Sequence, residues 1–191
     1  PVVVGHSWGA SVALEVAARA PRSVGGVVLV DGGLLSPRDK MDWPTTKREL
    51  APPRLAGMPL TEFRRRIPTF FGGALEVTPE IEGIVLAVMH VDRGGRIRPR
   101  LSRANHLRIL RALWLRDPDE ALERLSLPAL ALLSRGDDEG WTERRTLIAE
   151  RLQRTAAPVR LSSLSGIHDL PLQHPGALAG RIERFAAQLV R

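Results

Sequence analysis

The sequence predicts an α/β fold, a parallel sheet with a mostly helical insertion between its strands. Three observations predict it. A β-branched run, Val2-Val3-Val4, leads straight into Gly5-His6-Ser7-Trp8-Gly9 and then into a helix. Two further apolar runs, Val27 to Val30 and Ala129 to Leu133, each end in a turn rich in Gly and Asp. Between them, from Leu34 to Leu127, the strand–helix alternation breaks down.

The first strand is expected to be buried, because its valines leave no polar face. The following helix, Ala10 to Ala20, stops at Pro21. Val12, Ala13, Val16 and Ala17 recur at helical spacing, so this face should lie under the sheet. Gly25 and Gly26 turn the chain into the second strand, which ends at Asp31-Gly32-Gly33. Asp31 reads first as a turn-capping aspartate.

The insertion opens with Pro37, Pro44, Pro52, Pro53, Pro59 and Pro68, the composition of an irregular loop. Helices are expected near Thr61 to Ile67, Pro79 to His90, Ser102 to Leu115 and Pro118 to Leu125. Thr78-Pro79 and Asp117-Pro118 each supply an N-cap followed by proline at the first helical position. Leu34 to Leu127 carries 17 Lys/Arg against 12 Asp/Glu, and Arg96, Arg98, Arg100, Arg103, Arg108 and Arg111 are concentrated in one part of it. A solvated face explains that cluster, and attraction of an anionic substrate is the sharper alternative. Trp43, Phe63, Phe70, Phe71, Met89 and Trp114 read mainly as the insertion's own core. His90 and His106 read as structural or surface residues.

Leu127-Pro128 opens the third strand. The loop after it, Ser134-Arg135-Gly136-Asp137-Asp138-Glu139, carries three acids. Trp141 to Arg154 is an amphipathic helix, Val159 to Leu161 a short last strand, and Pro175 the start of the closing helix, with Ile182, Phe185, Ala186 and Leu189 on its apolar face. Ser165-Gly166-Ile167-His168-Asp169 connects these last two elements.

Gly5-His6-Ser7-Trp8-Gly9 fits Gly-x-Ser-x-Gly, a tight strand-to-helix turn that lifts a serine above the sheet. A serine hydroxyl becomes a nucleophile when a base takes its proton. Glycines at both ends of the turn leave room for it. The helix beyond points N–H groups at developing negative charge, and the Trp8 N–H is the identifiable oxyanion donor.

On these residues the sequence resembles the α/β-hydrolase superfamily over nearly the whole chain. The resemblance implies the order nucleophile, acid, histidine. It assigns Ser7 as nucleophile and His168 as base. For the acid it favours Asp137 by spacing from Pro128, then Asp138, then Glu139, with Asp31 as the remaining alternative. It makes Leu34 to Leu127 a helical cap inserted in a core of residues 1–33 and 128–191. It also implies strands and a second oxyanion donor upstream of the elbow, so the chain reads as a C-terminal portion with a partial sheet and an open edge beside Val2 to Val4. The activity implied is hydrolysis of an ester or lactone of a small substrate through an acyl-enzyme. Proline iminopeptidase-like, thioesterase and carbon–carbon bond hydrolase activities share the fold, as do non-catalytic ligand receptors.

Composition bounds the rest. The chain of 191 residues is 43% hydrophobic, enough for a core. It has no cysteine, so disulfide and thiolate chemistry are excluded, and its five histidines lack metal-ligand spacing. No cofactor is implied. A net charge of +7 raises nucleic-acid binding as a question, but aromatics are 4% and the arginines alternate with acids. No apolar run is long enough to span a membrane and no secretory signal is visible. A cytoplasmic location is weakly favoured, and the sequence leaves the oligomeric state open.

Overall fold

A computed structural model describes residues 1–136 and 140–189. In chain order the elements are β1 (Val2–His6), α1 (Trp8–Arg19), β2 (Gly26–Val30), α2 (Trp43–Leu50), α3 (Leu60–Arg66), α4 (Pro79–Ala87), β3 (Met89–Val91), β4 (Ile97–Pro99), α5 (Arg103–Leu115), α6 (Pro118–Arg124), β5 (Ala129–Arg135), α7 (Gly140–Leu152), β6 (Val159–Ser165), α8 (Leu170–Gln173) and α9 (Pro175–Gln188). Short 3₁₀ turns cover Pro37–Asp39 and Ile67–Phe71. The chain divides into two compact units, one of Pro1–Asp39 with Leu115–Arg191, the other Lys40–Trp114.

In the first unit four parallel strands pair in the order β1-β2-β5-β6. The apolar runs of β2 and β5 are continuous because both faces are covered. Val27, Leu29, Ala129, Ala131 and Leu133 face Leu14 and Ala17 of α1, Leu122 of α6 and Ile148 of α7. Val28, Val30, Leu130 and Leu132 face Leu170 of α8 and Leu178 and Phe185 of α9. β5 and β6 extend to Arg135 and Ser165, beyond the apolar runs that mark them in sequence, because they pair along their whole length.

Two expectations for β1 and α1 are corrected. β1 lies at the sheet edge, where an open edge was expected, and there Val4 is exposed rather than buried. Ala10, Ala13, Leu14, Ala17 and Ala18 form the buried face of α1, whereas Val12 is 45% exposed and Val16 is exposed too. Small alanines let this helix approach the sheet, and the valines point away.

The second unit has a small core of Leu55, Phe63, Ile67 and Ile97, with Phe71 and Met89 packed against it. Arg111 lies between the rings of Trp43 and Trp114, 4.7 and 4.6 Å from their centroids. Three features of this unit differ from the sequence expectation. Trp43–Leu50 is helical, capped by the Asp42 side chain on the Thr45 N–H at 2.9 Å with Pro44 in the first turn. α4 ends at Ala87, and His90 lies in the β3–β4 hairpin instead of the helix. The unit is also shorter than Leu34 to Leu127. α6 belongs to the first unit because Ala121 and Leu122 bury their side chains in the α1 cluster. With these boundaries the first unit holds 14 Lys/Arg and 14 Asp/Glu, and the second 14 Lys/Arg and 7 Asp/Glu, so the whole net charge of +7 resides in Lys40–Trp114.

Candidate active site

β1 and β2 run parallel with His6 opposite Val30. The next residue on each strand, Ser7 and Asp31, therefore leaves the same end of the sheet side by side. The Ser7 N–H donates to Val30 O at 2.9 Å, and the Asp31 N–H to Leu132 O at 2.8 Å, extending the ladders to these two residues. Both then turn sharply. Ser7 has φ 55° and ψ −122°, and Asp31 has φ 43°, the only two non-glycine residues with positive φ among the described residues. Such conformations cost roughly 1–3 kcal/mol each and persist where packing enforces them.

The packing is backbone against backbone. A Cβ on Gly5 would stand 2.1 Å from Gly9 O, and one on Gly32 would stand 2.2 Å from Ser7 O. Gly9 itself has open space where a Cβ would lie. Of the two glycines of the motif, Gly5 makes the room, and the second sterically required glycine is Gly32. Sequence reasoning missed Gly32 because its contact is with a residue 25 positions away.

His168 enters from the loop after β6. That loop is pinned by the Gly166 N–H on Arg135 O at 3.1 Å and the Ile167 N–H on Gln173 Oε1 at 2.8 Å. His6 Nε2–H donates to the His168 carbonyl at 2.8 Å, and the two rings lie 5.0 Å apart. The imidazole spans the other two groups: Nε2 is 2.8 Å from Ser7 Oγ and Nδ1 is 2.7 Å from Asp31 Oδ2. An ionised carboxylate only accepts, so Nδ1 carries the proton and Nε2 is free to accept from the serine hydroxyl.

Asp31, the remaining alternative for the acid, thus stands on Nδ1, the position for which the sequence ranked Asp137 first. The reason is register: β2 neighbours β1, so its terminal aspartate starts beside Ser7. Asp137, Asp138 and Glu139 lie outside the described residues. Ser134 anchors the carboxylate, with its N–H on Oδ1 at 2.7 Å and its hydroxyl on Oδ2 at 2.8 Å. The Arg144 Nη2 lies 3.1 Å from Oδ1.

Burial alone pushes the Asp31 carboxyl up, but hydrogen bonds from His168 and Ser134, with the charge of Arg144, outweigh it and hold Asp31 below its usual range. His168 is raised by its hydrogen bond to Asp31, against an opposing effect of burial. Trp8 opens α1, where the first N–H groups of a helix have no intrahelical acceptor. Among the described residues no cluster of His, Cys, Asp and Glu fits a metal ion, and no helix is long and apolar enough to cross a membrane.

A parallel sheet with a Gly-x-Ser-x-Gly elbow and a serine–histidine–aspartate chain defines the class, and the chain belongs to the alpha/beta hydrolase family, whose model matches residues 1–181. No curated protein matches it. Among solved structures it is similar to an E-2-(acetamidomethylene)succinate hydrolase, with a TM-score of 0.71 at 18% identity, covering 97% of this chain and 66% of that one. It is similar to an esterase of M. tuberculosis, with a TM-score of 0.68 at 22% identity, covering 97% of this chain and 62% of the esterase. A peroxisomal alpha-beta-hydrolase of Saccharomyces cerevisiae gives a TM-score of 0.69 at 15% identity, covering 100% of this chain and 53% of the yeast protein. The chain therefore spans about two thirds or less of these structures' own lengths. At such identities the likeness is one of fold.

Proposed function

We propose that this chain acts as a serine hydrolase on an ester-like bond, a carboxylic ester or lactone, of a small substrate. The observation that carries the reading is the hydrogen-bonded chain from Ser7 Oγ through His168 to Asp31, 2.8 and 2.7 Å. Ser7 attacks the carbonyl carbon while His168 Nε2 takes its proton. Asp31 keeps the imidazole in the tautomer that can accept this proton and stabilises the imidazolium that forms. The tetrahedral oxyanion takes a hydrogen bond from the Trp8 N–H, supported by the start of α1. His168 then protonates the leaving alcohol. In the second half-reaction it draws a proton from water, which attacks the acyl-enzyme and frees Ser7. The strained turn at Ser7 supports the same reading, because it holds the hydroxyl clear of its own strand.

The test is intact-mass analysis after treatment with a fluorophosphonate probe, with Ser7→Ala as control. One adduct, located on Ser7 and absent from the control, is expected, followed by turnover in a panel of p-nitrophenyl esters and lactones. A folded chain that takes no adduct and cleaves none of the panel would overturn the proposal.

A further inference from the structure

The buried end of the triad contains a cation that the chemistry above leaves unused. Asp31 is 2% exposed in its side chain. A carboxylate removed from water to that extent needs compensation, or it takes up a proton. Its Oδ2 binds His168 Nδ1 and the Ser134 hydroxyl. Its Oδ1 binds the Ser134 N–H and Arg144 Nη2. While His168 waits as a free base it is neutral, so Arg144 is then the one full positive charge in contact with Asp31 among the described residues. Arg144 is itself aimed by Ser134: Nη2 donates to the Ser134 carbonyl and lies 3.3 Å from its hydroxyl. The guanidinium also sits 5.5 Å from the ring centroid of Trp141, one turn earlier on α7. Helix α7 and the end of β5 are thus tied together through the oxygen of Asp31 that His168 leaves free.

We infer that Arg144, fixed by Ser134, is a positioning residue of this site, holding Asp31 as an anion aimed at His168 and so aiming the imidazole at Ser7. The inference rests on the serine-hydrolase reading for its catalytic consequence, but not for its effect on His168. Among the described residues, the charged and titratable groups facing the imidazole are Asp31 from β2, His6 from β1, Arg144 from α7 and Asp169 beside it in the loop. Of these, Arg144 alone is a fixed cation, and it disfavours a second positive charge on the ring. Removing it makes His168 easier to protonate, so the free base appears at higher pH.

The experiment compares wild type, Arg144→Met and Arg144→Lys by two readouts. The first is the His168 titration, followed by imidazole NMR in a Ser7→Ala background, which needs no turnover. The second is the pH dependence of fluorophosphonate inactivation. In Arg144→Met both the titration and the acid limb of inactivation are expected to move up by about half a pH unit or more. Ser134 still keeps Asp31 on His168, and the plateau rate should fall about tenfold as the less firmly held pair aims the imidazole less well at Ser7. Arg144→Lys keeps the charge, so its limb should return to the wild-type position, while loss of the planar fork leaves the plateau several-fold low. A merely structural arginine would lower the folded fraction and leave both pH positions unmoved, and that result overturns the inference. Should Arg144→Met not fold, Arg144→Lys decides alone, and a wild-type plateau overturns it. If wild type takes no adduct, the hydrolase reading fails, and the NMR titration still supports or overturns the role of Arg144 toward His168.

Discussion

Gly32 and Ser7 touch through their backbones: a Cβ added to Gly32 would lie 2.2 Å from the Ser7 carbonyl oxygen and 2.8 Å from its Cα. The turn after β2 is therefore a mould for the turn after β1. Backbone cannot move aside as a flexible side chain can, so Gly32→Ala should displace the elbow, costing about 3 kcal/mol or more and most of the reactivity of Ser7. Gly5→Ala meets Gly9 O at 2.1 Å and should behave alike. Gly9→Ala faces open space on a helix, and should leave stability unchanged or raise it by up to about 1 kcal/mol. Urea unfolding and probe labelling of the three variants check this; a Gly9→Ala protein as damaged as Gly5→Ala would contradict it.

Asp31 and Asp137 can be separated by one substitution each. Asp31→Asn keeps the shape but turns the acceptor into a group that can donate, so His168 loses its tautomer. Turnover should fall on the order of 10³- to 10⁴-fold. Asp137→Asn should stay within about threefold of wild type, because another carboxylate, Asp31, already stands on Nδ1 of His168. Steady-state kinetics on the best ester of the panel decide between the two acids, and the reverse ranking would return the role to the loop after β5.

Proton uptake by His168 has opposite effects on rate and stability. Its hydrogen bond to Asp31 raises it above the ordinary 6.5. The base must be neutral, so kcat/KM should decline as pH falls through that raised value, and Asp31→Asn should move the decline to lower pH. For folding, the same raised value adds stability that is fully present below 6.5 and is lost as pH rises through the folded value. Asp31, held below its ordinary 3.8, adds stability present above 3.8 and lost as pH falls through its folded value. Paired rate and urea-midpoint profiles across the range just above pH 6.5 should therefore run in opposite directions. Profiles that rise together there would show that His168 is not the titrating base.

Arg151 is a structural counterpart to Arg144. Its side chain is 13% exposed and joins α7 to Asp39 at 2.8 Å, to Asp119 at 2.7 Å and to Leu34 O at 2.9 Å. Arg151→Met takes the nearest cation from two half-buried carboxylates, leaving Asp39 with the Ser36 N–H and Asp119 with Arg154 at 3.6 Å, and should cost about 2–4 kcal/mol. The melting temperature should fall by roughly 5–10 °C in a chain of this size. Labelling per folded molecule should be unchanged, since Arg151 touches no triad residue; calorimetry and active-site titration measure the two effects separately.

Ser7 and His168 were legible because their signals are local. A strand, a five-residue motif and a helix mark the first, and a glycine loop between the last strand and last helix marks the second. The aspartate was not legible in the same way. Spacing within one loop favours Asp137, while the claim of Asp31 depends on β1 and β2 being in register and on Ser134 reaching across from β5. Gly32 and Arg144 are tertiary choices of the same kind, without a linear signature. Helix α2 is different, since its Asp42-Trp43-Pro44 start carries the cap-and-proline signal that marked α4, and the surrounding prolines masked it. The alanine-rich buried face of α1 was only partly legible, because Val12 and Val16 share the helical spacing of Ala13 and Ala17.

The pairing of His6 with Val30 brings Ser7 and Asp31 together without any side chain choosing the distance. A slip of one residue between β1 and β2 would displace them by about 3.3 Å and turn the side chains of one strand to the other face. Such a molecule could keep its secondary structure and still lack a reactive serine. Moles of titratable serine per mole of chain thus become a census of correctly aligned strands, a measure of refolding quality to which circular dichroism is blind.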